Sequence, residues 1–136
     1  MSQLAGGPLM VVGGRGPICV LIVDDDARVR SAMRTFLLAH QEFQVVGEAG
    51  CPASAVRIAE ETAPSVAIVD VLMPAERDGL SLLKVLTERG IPVVAMSLNN
   101  ACADNAIAAG ACAFLAKDGC SELLVSALLA ACRQDG

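Results

Sequence analysis

The sequence has no tryptophan and no tyrosine, and only three phenylalanines. Flat aromatic faces are what proteins use to stack bases and sugars, so that mode of recognition is nearly closed. Ten Lys and Arg stand against fifteen Asp and Glu, a net charge of −5, and the basic residues form no cluster. A polyanion needs a basic patch, so no direct nucleic-acid binding is expected. His40 is the only histidine. It cannot build a His-rich zinc site, and it is read as closing the first helix at the surface. The six cysteines lie at 19, 51, 102, 112, 120 and 132, the nearest pair eight apart, with no CxxC spacing. They read as reduced thiols of a cytoplasmic protein rather than as a disulfide or zinc framework. No apolar run approaches the ~20 residues of a membrane span, and no basic segment leads into an apolar one at the N-terminus. The GGRG at 13–16 lacks the lysine of a phosphate loop. Neither membrane insertion nor secretion is expected.

What is present is an apolar chain, 54% hydrophobic over 136 residues, enough for one domain with a real core. Residues 1–17 hold five of the twelve glycines and two of the six prolines, and read as a flexible leader. Residues 18–133 form the domain and 134–136 a tail. Within the domain, ICVLIV (18–23), QVVGEA (44–49), SVAIVD (65–70), IPVVAMS (91–97) and CAFLAK (112–117) read as strands. Helices are predicted over about 27–39, over 52–62, across GLSLLKVLTERG (79–90), across the alanine-rich stretch ending at Gly110, and from Ser121 to about Arg133. Such alternation predicts an α/β fold, a doubly wound five-stranded parallel sheet with helices on both faces.

Ligands of such sheets sit at the carboxyl ends of strands. Strand one ends in Asp24-Asp25-Asp26, strand three in Asp70, strand four in Ser97 and strand five in Lys117. Taken singly, each has an ordinary explanation. The acidic run could cap a helix, Asp70 could end a strand, Ser97 could cap a turn and Lys117 could lie in a solvated turn. Taken together, they place the carboxylates of Asp24, Asp25 and Asp70, a hydroxyl and an ammonium along one edge. Hard oxygen ligands of this kind suit Mg²⁺, and the set suits an aspartate that accepts a phosphoryl group.

VLIVDDDARVR (20–30), IVDVLMP (68–74), VVAMS (93–97) and GACAFLAKDG (110–119) resemble the receiver domain of bacterial two-component response regulators. Lysine followed by aspartate is similar to the NarL/LuxR-like branch. The resemblance implies a flavodoxin-like (βα)5 fold with strand order 2-1-3-4-5. It implies Asp70 as phosphoacceptor, with Asp24, Asp25, Asp70 and the backbone carbonyl of Leu72 holding Mg²⁺. Ser97 and Lys117 would engage the phosphoryl group, with Ser97 and Phe114 as the switch pair; Asp26 is read as a helix cap. It further implies a sensor histidine kinase as donor, no enzyme activity beyond the domain's own phosphorylation and dephosphorylation, and an output face on helix four, strand five and helix five. DNA would be reached only through a separate output domain. Three residues separate Pro74 from Asp78 where the family more often has two, and DGCSELL is one residue shorter than usual. The chain also stops after the last helix, as a stand-alone receiver or a fragment would.

Helix five carries a second signal. Leu124, Ala127, Leu128 and Ala131 make one apolar stripe, and Val125, Leu129 and Cys132 another. One stripe is enough for a core, so the second predicts a homodimer or an absent domain on the helix four/helix five face. Two rivals remain at this stage. A haloacid-dehalogenase-type phosphatase needs D-x-D-x-[TV], and Arg28 occupies the last position. A receiver-like dimerisation module that is never phosphorylated usually lacks one of the site residues.

Overall fold

The computed structural model describes residues 16–73, 75–117 and 121–133. Most of the predicted leader, Pro74, the 118–120 segment and the 134–136 tail lie outside the described residues. The elements run β1 (Ile18–Val23), α1 (Ala27–Leu38), β2 (Phe43–Ala49), α2 (Pro52–Thr62), β3 (Val66–Asp70), α3 (Glu76–Glu88), β4 (Val93–Ser97), α4 (Ala103–Ala108), β5 (Ala113–Ala116) and α5 (Ser121–Arg133). The five strands pair in parallel in the order β2-β1-β3-β4-β5, as expected.

The unbroken apolar runs are explained by this placement. Every residue of β3 and β4 is buried, whereas the edge strand β5 is half-buried throughout. Side chains alternate across the sheet. Leu21, Val23, Ala67, Val69, Val93 and Ala95 join Ala55 and Ala59 of α2, Leu82, Leu83 and Leu86 of α3 and Ala106 of α4 in one core. Val20, Ile22, Val66, Ile68, Val94 and Met96 join Leu37 of α1 and Leu124, Leu128 and Ala131 of α5 in the other. Two half-cores thus clamp a sheet whose polar edge is left to the strand ends.

Helix α3 begins at Glu76, three residues before the predicted start. Glu76 and Asp78 in its first turn complement the positive end of the helix. Gly79 is inside that turn because a Cβ there would collide with the backbone of Val71, just past β3. This close approach fixes the chain after Asp70. The helix closes as predicted at Gly90, whose φ of +83° a side chain would resist. The fourth helix ends at Ala108, close to the predicted end at Gly110. The Asn99 carboxamide accepts from Ala101 N–H at 2.9 Å and opens a 3₁₀ turn over Asn100–Cys102, so α4 starts only at Ala103.

Two surface readings need correction. His40 is half-buried, with Nδ1 3.1 Å from the Phe36 carbonyl and its ring 4.8 Å from that of Phe36 and 6.2 Å from that of Phe43. In α5, Val125, Leu129 and Cys132 are half-buried against the domain's own core, so part of the second stripe is covered within the chain. Leu123 is left exposed. No helix among the described residues is long and apolar enough to cross a membrane.

Candidate functional site

Among the described residues, three polar or charged side chains are buried: Asp24, Asp70 and Ser97. They stand at the ends of β1, β3 and β4. Buried charge is unfavourable unless paired, and the partner is Lys117. Its backbone N–H donates to the Ser97 carbonyl at 2.9 Å, which ties the residue after β5 to the end of β4. From there the ammonium donates to Asp24 Oδ2 at 2.8 Å and to Asp70 Oδ2 at 3.2 Å. The lysine side chain therefore reaches from the β5 end of the sheet to β1.

The remaining carboxylate oxygens are held by backbone amides. Asp24 Oδ1 accepts from Asp26 N–H at 2.9 Å, and Asp70 Oδ1 from Leu72 N–H at 3.0 Å. Asp26 caps α1 as predicted, accepting from Arg28 N–H at 2.9 Å. Asp25 is exposed, yet an oxygen of its carboxylate lies with those of Asp24 and Asp70 inside a 4.8 Å span.

Three carboxylates against one ammonium leave two negative charges when all are ionised. Burial raises the Asp70 carboxyl above its ordinary range; Lys117 opposes this and the Asp24 charge adds to it. Burial alone would lower the Lys117 ammonium, but Asp24 and then Asp70 outweigh it and hold it above its usual value. An all-oxygen set with an unbalanced double charge fits a divalent cation such as Mg²⁺.

Ser97 Oγ accepts from Asn99 N–H at 3.0 Å, and its hydroxyl has the Cys102 sulfur as a second hydrogen-bonding neighbour. Phe114 lies on β5 opposite Ala95, half-buried against the core that contains Cys102. The site thus gathers Asp24, Asp25, Asp70 and Lys117, with Ser97 on the adjoining strand end. Leu72 enters through its amide, and Phe114 stands off on the edge strand. Other neighbours carried no sequence signal. The Cys102 thiol lies against the Ser97 hydroxyl and the Glu76 carboxylate, and burial pushes it above its ordinary range. Glu76 also accepts from Asn105 Nδ2 at 3.0 Å. Arg30 reaches the backbone of Asp24.

Comparison with known proteins agrees with this fold. A protein-glutamate methylesterase/protein-glutamine glutaminase of Oleidesulfovibrio alaskensis is 44% identical over 81 residues, which cover 59% of this chain and 22% of the relative. The transcriptional regulatory protein YdfI of Bacillus subtilis is 33% identical over 117 residues, 84% of this chain and 54% of that protein. The chain therefore spans about a fifth to a half of these curated relatives. Among solved structures, the signal receiver domain of the putative response regulator NarL from Mycobacterium tuberculosis superposes with a TM-score of 0.78 at 27% identity, covering 88% of this chain and 98% of that one. Residues 20–129 match the model of the response regulator receiver domain. These relatives include both methylesterases and a transcriptional regulator, so the likeness does not single out the NarL/LuxR-like branch. The chain belongs to the response regulator receiver domain family.

Proposed function

We propose that this domain accepts a phosphoryl group on Asp70 from the phosphohistidine of a sensor histidine kinase, with Mg²⁺ as cofactor. The observation that supports this most is the buried Asp24–Lys117–Asp70 arrangement with Asp25 beside it. Asp24, Asp25, Asp70 and the Leu72 carbonyl would hold the cation, which when bound neutralises the transferring phosphoryl oxygens. A carboxylate oxygen of Asp70 forms the new P–O bond as the P–N bond to the donor imidazole breaks, and the imidazole leaves with the electron pair. The Leu72 amide on Oδ1 orients the carboxylate for this attack. Lys117 then shares its protons with the phosphoryl oxygens, and the Ser97 hydroxyl donates to another.

Drawing Ser97 inward opens space beside β4 that Phe114 can enter, so the phosphorylated state selects a second arrangement of α4, β5 and α5. Ile107 on α4 and Leu123 on α5 are exposed on these elements and supply apolar area for a homodimer. The domain works in the cytoplasm and catalyses nothing beyond its own phosphorylation and dephosphorylation. Lys117-Asp118 and the transcriptional regulatory relative favour a DNA-binding output partner; the methylesterase relative favours an enzymatic one. Intact mass after treatment with acetyl phosphate and Mg²⁺ tests the proposal. The wild-type protein gains one phosphoryl group and Asp70→Asn gains none; equal labelling of both would overturn the assignment.

A further inference from the structure

Arg30 lies near the start of α1 and is not one of the acids, hydroxyl or amine considered above. Its Nη1 donates to the backbone carbonyl of Asp24 at 2.6 Å. Its Nε stands 3.5 Å from Glu48 Oε1 on β2, and Arg34 Nη1 holds the other Glu48 oxygen at 3.0 Å. The Arg30 side chain is only 20% exposed. Gly50 leaves room for it, since a Cβ there would stand 3.1 Å from Nη1.

The bonded carbonyl matters because of where it falls. Asp24 N–H still pairs with the Ala49 carbonyl, but β1 has ended and α1 has not begun. That carbonyl belongs to the peptide joining Asp24 to Asp25. A peptide is planar, so anchoring its oxygen sets the plane from which both Cα atoms hang, and with it the relative direction of the two carboxylates. We infer that Arg30, braced by Glu48, is a positioning residue that sets the Asp24–Asp25 pair for a divalent cation. The inference rests on the function proposed above for the cation itself.

Charge alone makes the opposite prediction. A guanidinium near an acidic cluster repels a metal ion, so removing it should tighten binding. Removing an orienting group should loosen it, by roughly tenfold where a supporting residue of a metal site is lost. The sign therefore decides. Mn²⁺ affinity by electron paramagnetic resonance, with Mg²⁺ in competition, should weaken by roughly tenfold in Arg30→Met. It should recover in part in Arg30→Gln, which restores a donor without the charge, and weaken less in Glu48→Gln. In the metal-free protein, exchange of the Asp26 amide, which bonds to Asp24 Oδ1, should quicken in Arg30→Met. Unchanged or tighter Mn²⁺ binding in Arg30→Met would overturn the inference. Should that variant not fold, Arg30→Gln and Glu48→Gln carry the same comparison. A wild-type protein that binds no Mn²⁺ would overturn the proposed metal site instead, and unaltered Asp26 exchange would then still refute positioning by Arg30.

Discussion

Lys117 and Arg57 each face carboxylates, and the two places differ in almost everything else. Arg57 and Glu61 sit four residues apart on α2, 3.8 Å from one another, with both side chains about 60% exposed. Lys117 meets Asp24 and Asp70 across 93 and 47 residues of sequence, at 2.8 and 3.2 Å, with little of any of the three reached by solvent. On the helix surface, water screens the charges and the fold would form without them. At the sheet edge, three strands had to arrive in register before the ammonium could reach both acids. Coulombic terms that water would erase become decisive there, for stability and for the proposed chemistry alike.

The largest expected effect follows from removing the shared cation. Lys117→Met leaves two buried carboxylates without their partner and should lower stability in metal-free buffer by about 3–5 kcal/mol, read by urea denaturation. Added Mg²⁺ should return part of that loss. A loss near zero would place the lysine on the same footing as Arg57. The second substitution should act with the opposite sign. Asp70→Asn keeps an acceptor for the Leu72 amide, removes a carboxylate that burial penalises and leaves Lys117 its shorter bond to Asp24. Without metal it should raise stability by about 1 kcal/mol, because it relieves the burial of Asp70 and its repulsion by the Asp24 carboxylate while Lys117 keeps a partner. Loss of stability would show that the carboxylate is held favourably even without a cation. The smallest effect belongs to the surface. Arg57→Ala should change the same denaturation midpoint by no more than about 0.5 kcal/mol.

How much of this was legible in the sequence depends on the range of the forces involved. The strand ends were legible because alternating apolar runs locate the edge of a parallel sheet, and Asp24, Asp70, Ser97 and Lys117 terminate those runs. Asp26 was legible because capping is local. Arg30 was not, since its meaning depends on its bond to the Asp24 carbonyl between β1 and α1 and on β2 lying beside β1 to bring up Glu48. The Cys102–Ser97–Glu76 contact was hidden for the same reason: α3 and α4 must first be in place. Helix α3 begins early because a bare glycine contact with Val71 governs its start, and periodicity does not register close backbone approach. On α5, spacing separated two apolar stripes but not how far the neighbouring elements wrap around the second. Half-burial is a property of the neighbours, not of the helix.

The central claim is that the acids of β1 and β3 and the lysine after β5 form one site that takes a phosphoryl group with a divalent cation. Fluorine NMR of beryllofluoride, a mimic of a phosphoryl group on a carboxylate, tests it directly. Bound fluoride signals should appear for the wild-type protein only when Mg²⁺ is present, and should be absent for Asp70→Asn. Bound signals that persist in Asp70→Asn, or that form equally well without Mg²⁺, would contradict the account.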